Sequence, residues 1–198
     1  MGDHGPALPR QGRTCGGRIV APHALDGYHE GPDHSIDWHN AGSEEFNRFA
    51  VQQLDEMDVL VFGRVTYELI AGYWPTQAAR DDDPEVAARM NALPKVVVSR
   101  TLDHVTWANT ELVRDRVAER LAELKRQPGK DLAIFGSSNL TASLLRLGLV
   151  DELRIMVSPV LVGRGTPLFQ GADVTGLTWR EVRSFELGNV LLVYGVAP

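Results

Sequence analysis

Residues 131–169 read DLAIFGSSNLTASLLRLGLVDELRIMVSPVLVGRGTPLF, and they hold a complete strand, turn, helix and second strand. The opening apolar run 132–135 is too short for a helix and is closed by Gly136, which marks a buried strand. Leu140, Leu144, Leu145 and Leu147 then recur at helical spacing, and Gly148 stands where a helix stop is expected. A second strand over 152–157 leaves through Pro159 into a segment punctuated by Gly163 and Gly165. The unit is βαβ-like. Its chemistry lies at the turn, because a helix that begins directly after a buried strand points unpaired N–H groups and the positive end of its dipole above the strand end. Gly136 lets a ligand approach the backbone, and Ser137, Ser138 and Asn139 supply hydroxyl and amide groups. The same three residues also serve as ordinary helix caps.

The chain has 198 residues, 43% of them hydrophobic, which suits one domain with a core of its own. We expect a flexible lead-in over 1–17 and a single domain over 18–198. The formal net charge of -6, with no long basic run, argues against nucleic acid or a membrane surface as partner. The one cysteine, Cys15, excludes an internal disulfide and reads as a thiol on the Gly-rich tail, in keeping with a reducing, cytoplasmic setting. The start lacks the apolar core of a signal peptide, and no apolar run approaches a membrane span.

In chain order, a short strand over 18–21 runs into Pro22 and a long loop, HALDGYHEGPDHSIDWHN, whose turn signals predict no regular structure. Asp26, Tyr28 and Trp38 in this loop are the mixture that lines a ligand pocket, acids orienting polar atoms and aromatics stacking on a ring. Its histidines, His23, His29, His34 and His39, fit no zinc signature, so no metal is assigned. Ser43 with Glu44 and Glu45 reads as a capped helix start. A strand over 58–62 turns at Gly63-Arg64-Val65-Thr66 into another helix, and Arg64 there is either a phosphate partner or a surface arginine. Asp81-Asp82-Asp83 reads as a solvated turn, with Asp83 capping a helix from Pro84. Residues 95–98 form a strand that delivers Ser99-Arg100-Thr101. An exposed strand over 106–109 and a helix over 114–125 follow, and arms 178–187 and 190–196 around Gly188-Asn189 form a terminal hairpin.

The run IFGSSNLTASLLRLGLVDELRIMVSPVLVGRGTPLF, with LDGYHE at 25–30, VFGRVTYE at 61–68 and KVVVSRTL at 95–102 in the same order, resembles the dihydrofolate-reductase-like superfamily. Within it the likeness is to the riboflavin-biosynthesis reductase C-terminal-domain group, which includes small reductase-like proteins of unknown substrate. It runs from about residue 18 to the C-terminus. The two-glycine turn usual in that group is Gly136-Ser137 here. The resemblance implies an α/β fold, dihydrofolate-reductase-like, with a mostly parallel central sheet flanked by helices and an antiparallel C-terminal hairpin.

It also implies an NADPH-dependent reductase passing hydride to a small, cyclic, polar substrate, and a homodimer. Cofactor contacts implied are Gly63, Arg64, Thr66, Ser99, Arg100, Thr101, Gly136, Ser137, Ser138 and Asn139, with Pro159 and Gly163 in the segment beneath the nicotinamide. Arg100 between two hydroxyls suits a 2′-phosphate, hence NADPH over NADH. Asp26 is the expected catalytic, substrate-side polar group. Phe135 stands where the riboflavin reductase domain typically has a glutamate, removing an acceptor for sugar or pyrimidine groups. That ranks the riboflavin precursor below an unidentified substrate. A non-catalytic nucleotide-binding or dimer-forming protein of the same fold is the alternative.

Overall fold

The computed structural model describes residues 15–39 and 42–197. The strands are β1 (Gly17–Ala24), β2 (Tyr28–Glu30), β3 (Met57–Gly63), β4 (Lys95–Val98), β5 (Thr110–Val113), β6 (Asp131–Phe135), β7 (Glu152–Ser158), β8 (Thr166–Pro167), β9 (Leu177–Ser184) and β10 (Val190–Val196). The helices are α1 (Glu44–Asp55), α2 (Arg64–Ala71), α3 (Gln77–Asp82), α4 (Pro84–Ala92), α5 (Val117–Arg126) and α6 (Ser138–Arg146), with a short 3-10 turn at Pro32–His34. Eight strands form one sheet in the order β5-β4-β3-β6-β1-β7-β10-β9, and β2 pairs with β8 beside it. The six strands from β5 to β7 are mutually parallel, and β10 runs antiparallel to both β7 and β9. This is the α/β architecture expected, mostly parallel with an antiparallel C-terminal hairpin.

Because side chains alternate along a strand, successive residues feed opposite layers. Val61, Leu132 and Ile134 pack with Leu121, Leu124, Leu140 and Leu144 of α5 and α6 on one face. Leu60, Phe62 and Ala133 pack with Leu54, Tyr67 and Met90 of α1, α2 and α4 on the other. Burying a side chain of this size stabilises by roughly 1.5–3 kcal/mol, so each layer carries a large share of the fold. At the far end of the strands from the turns described below, Arg18 is buried and donates to Glu56, Asp131 and Glu152 at 2.5, 2.5 and 3.3 Å, tying β1, β6 and β7 to the end of α1.

Several elements differ from the sequence reading. The strand of 18–21 continues through Pro22 to Ala24, because β7 runs beside it over that whole length while the β6 ladder stops at Val20, so one side of the strand has no ladder beyond that point. The stretch from β6 to β7 is not a pair of neighbours, since β1 lies between them. The loop expected to be irregular contains β2 and the 3-10 turn. Asp81 and Asp82 lie in the last turn of α3, not in a solvated turn, and Gln77 donates to Asp81 across one helical turn. Asp83 does cap α4, accepting from Val86 N.

The strand expected over 106–109 is displaced to Thr110–Val113. Trp107 is drawn into the core, stacked on Phe62, its indole N–H donating to Asn91 and its backbone N–H to the Tyr67 hydroxyl. Asn109, at φ 58, then turns the chain into β5. The first arm of the hairpin ends at Ser184 rather than residue 187, and a bulge between Val193 and Tyr194 breaks the alternation of the second. The lead-in expected over 1–17 lies outside the described residues as far as residue 14. Cys15, expected on a tail, is buried, with its thiol donating to Gln127 O at 3.1 Å.

Candidate functional site

All six parallel strands end at one edge of the sheet, and in such sheets ligands bind beyond the carboxyl ends. Phe62 of β3 registers with Phe135 of β6, so the turns that follow, Gly63-Arg64 and Gly136-Ser137, leave the sheet side by side. They touch. A Cβ on Gly63 would lie 2.5 Å from Ser137 Oγ, so glycine is required for the two turns to abut. Gly136 is at φ 53, and a Cβ there would lie 3.0 Å from His29 Nε2 and 3.4 Å from Thr66 Oγ1. Ser137 is also left-handed, at φ 62, a conformation that costs a non-glycine residue energy and that clusters at ligand clamps.

Two helices therefore begin next to each other, and neither has a side-chain cap: the N-cap residues Gly63 and Ser137 make no side-chain hydrogen bond to the first turn of α2 or α6. Ser138 Oγ is buried with no hydrogen-bond partner among the described residues. The first N–H groups of a helix have no intrahelical partner, so without a side-chain cap they are left for a guest, and the paired dipoles favour an anion. Arg64 sits at this opening but also pairs with Glu68 one turn on, at 2.8 Å. Asn139 is exposed, its carbonyl accepting from Ser143 Oγ.

β4 flanks β3 on the other side, Val98 registering with Gly63, so Ser99-Arg100-Thr101 leave from the same edge. Here the chemistry differs. Ser99 is buried and its hydroxyl accepts from Thr101 N at 3.2 Å and Leu102 N at 3.0 Å, closing the turn on itself. Arg100 is exposed and forms no ion pair among the described residues, so its guanidinium is open to a ligand.

Two adjoining cavities open beside these turns, sharing Val20, Pro22, His39, Ile70 and Phe135. The one nearer the helix starts, about 380 Å³, is lined by His29, Thr66 and Gly136. His29 is buried, its Nδ1 lies 3.0 Å from Pro22 O and so donates to it, and its Nε2 faces Gly136. The second cavity, about 280 Å³, extends between the sheet and α1, α2 and α4, with Phe46, Phe49, Trp74 and Met90 in its wall. His39 and Gln53 line it, and His39 Nε2 and Gln53 Oε1 have no hydrogen-bond partner among the described residues. Burial, and secondarily the neighbouring His29, pushes His39 down to about 4, so its imidazole is neutral at pH 7.

Of the residues expected to line the pocket, Phe135 does so, standing between the cavities. Asp26, Tyr28 and Trp38 contribute to neither. Asp26, the expected catalytic group, is occupied elsewhere: its Oδ2 accepts from Val162 N at 3.1 Å and Gly163 N at 2.8 Å, fastening the β7–β8 connection. Tyr28 lies on the face of β2 opposite His29, and Trp38 meets His39 edge-on at 4.2 Å. Pro159 packs towards Gly188 in the hairpin turn, and Gly163, at φ 76 and held by Asp26, has open space where a Cβ would stand. Gln53 was not singled out by the sequence, and His29 and His39 were weighed only as metal ligands. Had 28–30 been read as a strand, alternation would have exchanged Tyr28 for His29.

The model of the RibD C-terminal domain matches residues 20–193. The chain belongs to this family. A curated relative, the uncharacterized protein YyaP of Bacillus subtilis (strain 168), is 32% identical over 177 residues, covering 86% of this chain and 89% of that one. Among solved structures, a putative riboflavin biosynthesis protein from Shewanella sp. PV-4 superposes with a TM-score of 0.72 at 21% identity, covering 92% of this chain and 99% of that one. A diaminohydroxyphosphoribosylaminopyrimidine deaminase/5-amino-6-(5-phosphoribosylamino)uracil reductase from Thermotoga maritima gives a TM-score of 0.66 at 13% identity, covering 93% of this chain and 57% of that longer one. At these identities the structural matches establish the shared fold.

Proposed function

We propose that this protein is an NADPH-dependent reductase that passes hydride to a small ring-containing molecule. The observation that supports this most directly is the pair of abutting helix starts, uncapped and flanked by Ser138 and Arg64, opening onto a closed-in cavity. A dinucleotide pyrophosphate suits those donors, and the glycines leave room that a Cβ would fill. Gly63, Arg64, Thr66, Gly136, Ser137, Ser138 and Asn139 would hold that part of the nucleotide. Arg100, on the same edge and without an ion pair among the described residues, would meet a 2′-phosphate, whereas Ser99 shapes its turn and Thr101 extends it. Bound NADPH supplies the hydride, so the protein's task is to place substrate and cofactor face to face and to handle one proton. His29 is the side chain placed to relay that proton: with Nδ1 held on Pro22 O, its Nε2 faces the cavity and would take a proton from solvent and pass it to the reduced substrate. Asp26 would keep the β7–β8 connection, with Pro159 and Gly163, in place beside the crevice.

The same reading includes a pair of chains. β9 is an edge strand with Leu177, Trp179 and Val182 exposed, a surface that a second copy would cover. A gel-filtration mass of one chain would remove that part of the proposal. No helix among the described residues is long and apolar enough to cross a membrane. The main test is a titration with NADPH and NADH read by nicotinamide fluorescence, followed by a screen for oxidation with ring carbonyls and quinones. Tighter NADPH binding and turnover of one class are expected. NADPH binding with no turnover would leave a nucleotide-binding protein, and failure to bind either nucleotide would overturn the reading.

A further inference from the structure

The cavity between the sheet and α1, α2 and α4 has a composition that constrains what enters it. Its walls are aromatic and aliphatic, with Phe46, Phe49, Trp74 and Phe135 offering ring faces and edges. The polar groups on it are few. Among the described residues Arg154 is the sole lysine or arginine lining either cavity, and its charge is already matched: Nε donates to Glu152 at 2.9 Å and Nη2 to Glu56 at 2.8 Å. Those two carboxylates and Asp131 also surround Arg18, and Arg180 lies 3.8 Å from Glu152, so the cluster behind Arg154 sets three acids against three guanidinium groups and leaves none of those cations unmatched. In the adjoining cavity the charged or ionisable side chains among the described residues are Glu30, His29, His34 and the shared His39, and His34 Nδ1 lies 2.7 Å from Glu30. A phosphate carried into the cavity against α1 would leave water and find no unpaired cation among the described residues. Moving such an anion into an apolar pocket without a free counter-charge is strongly unfavourable.

An uncharged ring meets the opposite situation. It stacks against the aromatic wall and offers a hydrogen-bonding edge to two polar atoms that have no partner among the described residues, Gln53 Oε1 and His39 Nε2. Buried polar atoms without partners are costly, so a ligand that satisfies them gains affinity and orientation together. A volume of about 280 Å³ lies at the lower end of small-molecule sites and accommodates one or two fused rings.

We propose that the substrate is an uncharged aromatic or quinonoid compound of one or two rings, bound between α1 and the sheet with its polar edge on Gln53 and His39, and that phosphorylated substrates are excluded. This rests on the reductase reading for the purpose of the site, though not for the site itself.

The test uses the full chain and a matched pair of probes, 2-naphthol and 2-naphthyl phosphate, with binding followed by calorimetry and NADPH binding measured separately by fluorescence. Naphthol is expected to bind at least about tenfold more tightly than its phosphate ester, and Gln53→Leu to weaken naphthol several-fold with NADPH affinity retained as the control for folding. Equal or tighter binding of the phosphate ester, or no binding of naphthol, would overturn the inference. NADPH binding without naphthol binding would discard the substrate class and leave the reductase reading. Naphthol binding without NADPH binding would do the reverse.

Discussion

The turn after β4 and the paired turns after β3 and β6 look alike as letters, each a strand running into Gly, Ser or Thr with an arginine or asparagine nearby. In the folded chain they behave oppositely. The Ser99 hydroxyl accepts from two backbone N–H groups of its own turn, while Gly63 and Ser137 leave the first turns of α2 and α6 without a side-chain cap and Ser138 Oγ has no partner among the described residues. Satisfied polar groups mark architecture, and unsatisfied ones mark a place prepared for a ligand. Arginines on the same edge divide similarly, Arg64 paired with Glu68 and Arg100 without an ion pair among the described residues.

The contrast breaks most visibly at Gly136. Gly136→Val puts a branched side chain at φ 53, against His29 and Thr66, and nucleotide affinity is expected to fall on the order of 100-fold by fluorescence titration. Retained affinity would mean that the turn is not a phosphate cradle. Next in size is a pH effect at His39. The unfolded ring takes up a proton near 6.5 and the folded one only near 4, so the stability associated with the neutral ring is complete above 6.5 and is lost as pH falls towards 4. On the order of 2 kcal/mol is at stake, and His39→Gln should flatten that segment of a urea-denaturation profile against pH. An unchanged profile would place His39 in water.

Arg100→Ala should weaken NADPH about tenfold and leave NADH nearly unaltered, a larger change than Arg64→Ala produces, because Arg64 already has a carboxylate partner. Equal losses for the two nucleotides would remove the 2′-phosphate role. The serines give the smallest and sharpest comparison. Ser99→Ala should cost about 1 kcal/mol of stability with no change in nucleotide affinity. Ser138→Ala should leave stability within about 0.5 kcal/mol and lower affinity a few-fold. Exchange of these two outcomes would invert the account of the edge.

Much of the fold was legible because its signals are local. The Leu140, Leu144 stripe, the Ser43 and Asp83 caps and the β-branched run of β4 each depend on neighbours within a few residues. What was not legible depends on partners far along the chain. Pro22 reads as a strand stop, yet β7 holds the backbone extended through it to Ala24. Trp107 lies in a stretch that reads as strand, yet Phe62, Tyr67 and Asn91, sixteen or more residues away, pull it inward and shift β5.

The site divides in the same way. The glycine and serine turns were visible, because left-handed backbone and helix starts leave compositional marks. The cavity beyond them was not, since Gln53 comes from α1, His39 from the segment before it and Arg154 from a strand nearly at the other end of the chain. Asp26 shows the limit of reading residue types alone. An acid in an Asp-Gly turn beside aromatics suits a catalytic role, but two distant N–H groups occupy it.

The central claim is that a dinucleotide pyrophosphate rests on the adjoining starts of α2 and α6. The most direct measurement is backbone amide chemical-shift mapping of the isotopically labelled chain during NADPH addition. The account predicts that the largest shifts fall on Arg64, Val65, Ser137 and Ser138, with Arg100 shifting for NADPH more than for NADH. Saturating NADPH that leaves those amides unmoved while perturbing another face of the sheet would contradict it.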